Sequence, residues 1–256
     1  MIAVAGGKGG SGKTTTTLGL ARALAGLDGS GPVVAADADW DLPNLASLAS
    51  AVDRCENARR GPDRKRRVNP DREPTRGDEV PTVVEAARGS HQESTARVEP
   101  SAPTVLAAPD DPTAHDACEL LSSLDDTVST DSTVLVDCPA GAAPDVAAPL
   151  RVADGTVLVT QLRPAALRDT AKTAAMARAL DCPPVGVVAV RAESPPDGLD
   201  DLLGCPTLGA VPSRPPTPLA ADDVRSAYDR VARTLVSSKR LTDSQYRQTQ
   251  AYTANR

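Results

Sequence analysis

Residues 5–17 read AGGKGGSGKTTTT, and their reading decides the fold. Gly7-Lys8-Gly9-Gly10-Ser11-Gly12-Lys13-Thr14 satisfies G-x-x-x-x-G-K-[ST] in full. Each residue type has a physical reason to be there. Glycines let successive backbone N–H groups turn inward on phosphate without a Cβ in the way. A helix opening at Lys13 would add its dipole and its free amides. Lys13 would place a compact charge between β- and γ-phosphates, and Thr14 would offer a hydroxyl to Mg2+. The flanks agree with this reading. An apolar run, MIAVA, comes before the loop as a buried strand. After it Leu18, Ala21, Leu24 and Ala25 recur at helical spacing, so a helix is predicted from about Lys13 to Ala25, ended by GLDGSGP.

The loop carries a second lysine, Lys8. The chain's lysines are Lys8, Lys13, Lys65, Lys172 and Lys239, and every other basic residue apart from two histidines is arginine. Two of five lysines therefore fall in one short loop. A planar guanidinium fits a tight backbone nest poorly, whereas an ammonium fits it. Both lysines read as chemically constrained; the plainer alternative for Lys8 is a solvated loop side chain.

Five further apolar runs read as strands: 32–39, 132–141, 155–161, 184–190 and 207–212. Helical patterns lie between or after them at about 164–180 and 219–238, the latter with Val224, Tyr228, Val231 and Leu235 in one stripe. Buried strands alternating with helices predict an α/β fold, a mostly parallel sheet with helices on both faces. Ligands in such sheets sit at the carboxyl ends of the strands. Two more polar motifs occur there. In DADWDLPNL (37–45), Asp37 and Asp39 stand at i and i+2 and can face one side, although ordinary turn and capping chemistry also favours such residues. VLVDCPAG (134–141) is an apolar strand ending in Asp137, a carboxylate placed to hold Mg2+.

Size and composition bound the rest. A chain of 256 residues fits one large domain, read as 1–240, followed by a polar tail, 241–256, expected to fray. The net charge of −6 argues against a protein coated in nucleic acid. The sequence shows neither a run of membrane-spanning length nor a leader pattern, so a cytoplasmic protein is expected. Cys55, Cys118, Cys138, Cys182 and Cys205 are scattered, with no C-x-x-C pair, which disfavours a disulfide framework or a zinc or iron–sulfur site. His91 and His115 both lie in polar, turn-rich sequence and read as solvated, which disfavours a multi-histidine centre or a triad. Residues 51–80 are charged and turn-rich, and read as a mobile exposed insertion. Its basic core, Arg59–Arg67, is either a solvated loop or a contact for an anionic partner.

KGGSGKTTTT also resembles the deviant Walker A motif, KGGxGKTT, of the MinD/ParA family of P-loop ATPases. The resemblance covers most of the chain outside 51–80 and the tail. It implies a single P-loop NTPase domain that binds Mg-ATP and forms a homodimer around it. Such a protein hydrolyses ATP slowly, under a protein activator, and positions a cargo such as the division site, a chromosome or polar machinery. Gly7, Gly9, Gly10, Ser11, Gly12, Lys13, Thr14 and Thr15 would cradle the phosphates. Lys8 would act in trans on the partner subunit's nucleotide. Asp39 would orient the attacking water near Mg2+, with Asp37 in support. Thr14 and Asp137 would complete the Mg2+ site, Asp137 through water. DCPAG is similar to the family's second switch, with Cys138 at a Ser/Thr position and Gly141 offering its N–H to the γ-phosphate. Arg168 and Asp169 would lie near the dimer interface, or form a plain solvated pair. Val190 stands where the family carries an adenine-reading Asn, while Arg191 is kept; backbone around Pro212 in AVPSRP (210–215) is the remaining reader of the base. Trp40-Asp41 and Ala46 depart from the usual first switch. The tail lacks the apolar face of a membrane-targeting helix. A second reading is a nucleotide-binding regulatory or scaffold protein with little hydrolysis. A third, an iron–sulfur carrier on the same fold, is disfavoured by the missing C-x-x-C.

Overall fold

The computed structural model describes residues 1–59, 80–89, 102–141 and 144–254. Strand β1 (Ile2–Ala5) leads through the glycine loop into helix α1 (Lys13–Ala25). Then follow β2 (Val33–Asp37), α2 (Leu45–Arg59), α3 (Val83–Ala87), β3 (Thr104–Leu106), α4 (Ala117–Thr127) and β4 (Thr133–Asp137). The second half is α5 (Pro144–Val152), β5 (Gly155–Gln161), α6 (Pro164–Ala179), β6 (Pro184–Val190), α7 (Leu199–Leu203), β7 (Thr207–Val211) and α8 (Asp222–Ala254).

The strands form one seven-stranded sheet in the order β3-β2-β4-β1-β5-β6-β7, with every neighbouring pair parallel. The α/β fold expected from the alternating apolar runs is therefore the observed one. Strands visited before β5 lie on one side of β1, and later strands on the other. The reversal places the loop after β1 at the crevice where ligands of open parallel sheets bind.

The sheet is buried on both faces, with the period of two that strands impose. Ile2 and Val4 point into the core beneath α1 and α8, while Ala3 and Ala5 point to the opposite face with Leu150 and Cys182. The predicted stripe of α8 is fully inside: Val224, Tyr228, Val231 and Leu235 are all buried. Helices α1 and α8 pack closely because Gly19 leaves room for the Tyr228 ring. A Cβ on Gly19 would lie 2.5 Å from two ring carbons. The Tyr228 hydroxyl reaches the Thr16 hydroxyl at 3.2 Å, so both buried groups are satisfied.

Two expectations change. Residues 51–59, read as the start of a mobile insertion, complete α2, which buries Leu45, Ala49 and Val52 at i, i+4 and i+7. Arg59, the first residue of the basic segment, is exposed and donates from Nη1 to the Ala220 carbonyl; the rest of that segment lies outside the described residues. The tail expected to fray is helical to Ala254. From Lys239 to Ala254 there is neither Gly nor Pro, and extending an existing helix avoids the cost of nucleation. An edge strand, β3, also joins the six predicted ones.

Candidate nucleotide site

The loop between β1 and α1 turns on two left-handed glycines, Gly10 at φ 72° and Gly12 at φ 97°. Gly12 immediately precedes α1, whose first-turn amides have no acceptor within the helix. Ser11 N–H donates to the Lys8 carbonyl at 3.3 Å and closes a turn at the crest. The Gly10 carbonyl accepts from Gln161 Nε2 at 3.1 Å and from Arg191 Nη2 at 3.2 Å. Side chains at the ends of β5 and β6 thus tie the loop to the sheet. Arg191, expected to touch nucleotide, here holds the backbone that would cradle it. Gln161 was not anticipated from sequence; the signal that could have found it is its place at a strand's carboxyl end.

Lys13 is buried, 6 % exposed, at the base of the loop. Beside it, Asp37 and Asp137 stand opposite each other on β2 and β4, each 1 % exposed. The Thr17 hydroxyl donates to Asp137 Oδ1 at 3.2 Å, and the Thr14 hydroxyl lies beside this carboxyl. Burial lifts the Asp137 pKa to about 7, and Asp37 adds to the rise; the Thr14 hydroxyl, the Lys13 charge and Thr17 oppose it. Thr14 and Asp137, predicted from separate motifs, are therefore in contact.

Asp37 organises the first switch. Its carboxylate accepts from the N–H groups of Asp39, Asn44 and Leu45, each at 3.0 Å, and so caps the start of α2. Burial raises its pKa despite these three donors. The Trp40 indole N–H donates to the Asp37 carbonyl at 3.1 Å. Asp39 is half-buried at the end of β2, beside this cap. In the second switch Cys138 is fully buried, its thiol pushed well up by burial, and Gly141 turns at φ 103°. Val190 packs on the loop, since a Cβ on Gly12 would sit 3.4 Å from its Cγ2. Pro212 is buried just after β7. Arg214 in the following turn pairs with Glu193 at 3.1 Å and Asp223 at 2.6 Å.

At the crest, Lys8 is 66 % exposed and pairs through Nζ with Asp169 Oδ2 at 3.0 Å. Asp169 also meets Lys172 at 3.5 Å, and Lys8 foremost holds its carboxyl below the usual range. Of the two α6 residues singled out in the sequence, Asp169 faces the loop and Arg168 is exposed.

These residues fit a nucleotide's phosphates with Mg2+. The glycine turn exposes backbone donors, and the Ser11 hydroxyl is buried with no hydrogen-bond partner among the described residues. Among the described residues no group of three His, Cys, Asp or Glu side chains forms a closed metal cage. Mg2+ does not need one, because it is commonly held by one or two carboxylates together with phosphate and water. All five cysteines are free thiols, and no described helix is long and apolar enough to cross a membrane.

Comparison with solved structures finds the same fold. The cell division ATPase MinD of Pyrococcus furiosus superposes at TM-score 0.66 with 23 % identity, covering 92 % of this chain and 98 % of that one. The septum site-determining protein MinD of Pyrococcus horikoshii, complexed with Mg-ADP, gives 0.64 and 21 %, covering 90 % and 93 %. The MinC:MinD cell division complex of Aquifex aeolicus gives 0.66 and 21 %, covering 92 % and 95 %. No curated protein matches the sequence. Residues 2–223 match the CbiA family, described as the CobQ/CobB/MinD/ParA nucleotide binding domain. The match spans most of the chain, which therefore belongs to the CobQ/CobB/MinD/ParA nucleotide-binding domain family.

Proposed function

We propose that this protein binds Mg-ATP in the loop 7–14, dimerises around it, and hydrolyses it slowly to position a cellular cargo. The observation that carries the reading is the separation of the loop's two lysines. Lys13 is buried at the base beside Asp137, while Lys8 is exposed at the crest. A buried ammonium suits the phosphates of its own subunit; an exposed one can reach a nucleotide held mainly by another. Thr14 and Asp137 would hold Mg2+, which when bound neutralises charge on the phosphates. Asp39 would accept a hydrogen bond from the attacking water and orient it. The amides of Gly9, Gly10, Gly12, Lys13, Thr14 and Thr15, with the Ser11 hydroxyl, would bind phosphate oxygens, and Gly141 would add its N–H. Backbone around Pro212 would meet the base. A protein activator would accelerate turnover, and a partner would recruit the dimer from the cytoplasm to a pole, nucleoid or membrane.

The test is ATP turnover of the wild type beside Asp39→Ala, with dimerisation followed by light scattering. The wild type should dimerise with ATP and turn it over; Asp39→Ala should bind but not hydrolyse. Identical behaviour of the two, with no ATP-dependent dimer, would overturn the reading. A regulatory nucleotide-binding protein without hydrolysis is the second reading. The altered first switch favours it, with Trp40 pinned to the Asp37 carbonyl. Tight ATP binding with turnover equal to buffer would select it.

A further inference from the structure

To act on a second subunit's nucleotide, the Lys8 ammonium would have to give up Asp169, and the structure shows what Asp169 keeps. Asp169 and Lys172 are i and i+3 on α6 and share a face. The two lysines approach opposite carboxylate oxygens, Lys8 at Oδ2 and Lys172 at Oδ1, so one can depart without displacing the other. The carboxylate itself is only 18 % exposed. Its backbone is also packed against the loop. Gly7 lies against the α6 backbone so closely that a Cβ there would be 2.4 Å from Asp169 Cβ and 2.6 Å from its carbonyl carbon. When Lys8 swings away, a half-buried negative charge stays at the loop crest, beside where polyphosphate would bind. Lys172 is 79 % exposed and tethered three residues away, so it can close onto the whole carboxylate.

We propose that Lys172 is a positioning residue for Lys8: it neutralises Asp169 once Lys8 departs, and so lowers the cost of freeing Lys8 for the partner's nucleotide. This inference rests on the reading that Lys8 acts in trans in an ATP-dependent dimer. Without Lys172, Lys8 would be the only cation paired with Asp169 among the described residues, and Asp169 would hold it more tightly. Lys172 also repels Lys8 while both are bound, and its removal relieves that repulsion, again favouring the closed pair.

The experiment compares wild type, Lys172→Gln, Lys172→Arg, Asp169→Asn and the double variant Asp169→Asn/Lys172→Gln. Light scattering gives the ATP concentration at half-maximal dimerisation; Trp40 fluorescence gives ADP affinity. Lys172→Gln should need about threefold more ATP to dimerise, with ADP affinity and melting temperature unchanged. Lys172→Arg should restore the wild-type value, and the defect should shrink in high salt. In the Asp169→Asn background, Lys172→Gln should have no further effect, because the charge it answers is gone. A wild type that dimerises beside an equally competent Lys172→Gln overturns this inference alone, as does a defect that persists with Asp169→Asn. A wild type without any ATP-dependent dimer overturns the parent reading and this inference with it.

Discussion

The base and the crest of one short loop are held by different physics. At the base, Lys13, Thr17, Asp37 and Asp137 are buried among α1, β2 and β4, and packing fixes them. At the crest, Lys8 is mostly exposed and a salt bridge to α6 fixes it. Packing is stiff and leaves little alternative geometry. Exposed ion pairs contribute little to stability and exchange partners at small cost. The comparison teaches that binding and switching can be separated within a single motif. The base would determine whether nucleotide binds, and the crest what happens afterwards.

The sharpest way to break that separation is to remove the lysines one at a time. Lys13→Ala deletes a buried cation placed to face phosphate and removes the positive charge that opposes the rise in the Asp137 pKa. Nucleotide affinity should fall at least about 100-fold, as for other truncated buried charge pairs. Lys8→Ala should bind nucleotide within about threefold of wild type and fail to dimerise. Titration calorimetry with ADP and ATP, followed by light scattering, reads both. A Lys8→Ala protein that loses nucleotide as completely as Lys13→Ala would merge base and crest into one unit.

A smaller effect concerns the charge buried at the base. Burial lifts Asp137 to about 7 in the folded protein, while the unfolded chain keeps the ordinary value of 3.8. Between these values the folded state binds more protons than the unfolded one, so this group's contribution to stability falls as pH rises from about 4 to about 7. Asp137→Asn removes that fall. At pH 8 the nucleotide-free variant should be about 1–2 kcal/mol more stable than wild type, a rise of roughly 2–8 °C in Tm. The gain should be smaller at pH 5, where the wild-type carboxyl is already protonated. Melting scans at the two pH values decide it; a variant less stable than wild type at pH 8 would show that the buried carboxylate is compensated. With Mg-nucleotide present the order should reverse, because only the wild type can gain from binding.

What the sequence disclosed follows the same division. The base was legible because its chemistry is local: glycines, Lys13 and Thr14 lie in one run, and Asp37 and Asp137 end apolar strands. The strands were legible as continuous buried runs. The three-residue β3 was too short to register between its flanking prolines. Helix α2 was partly hidden because its three buried residues lie in its first half, among alanines and serines, while its second half carries the charges Asp53, Arg54, Glu56 and Arg59. The extension of α8 carries no apolar stripe to announce it, only the absence of helix breakers. At the crest, the partners come from far along the chain. Gln161 lies 151 residues from the carbonyl it binds, and its place at a strand's end does not say which carbonyl that is. The pairing of Lys8 with Asp169 is likewise a product of topology, since α6 is brought over the loop by β5 pairing with β1.

The smallest predicted effect tests whether the base owes its fixity to packing behind it. Helix α1 carries the loop's lower half, and α8 backs α1 through Tyr228. That ring lies over Gly19, and its hydroxyl meets Thr16. Tyr228→Phe keeps the ring and deletes the hydroxyl, leaving the Thr16 hydroxyl without this partner in a buried position. Stability should drop by about 1 kcal/mol, measured by urea denaturation with an unchanged slope. Nucleotide affinity should stay within twofold, because the ring still holds α1 in place. The ATP concentration needed for dimerisation should also be unchanged, since Lys8 and Asp169 are tied to α6 and not to α8. A Tyr228→Phe protein with weakened nucleotide binding at full stability would mean that the Thr16–Tyr228 hydrogen bond, and not the packing around it, sets the geometry of the loop base.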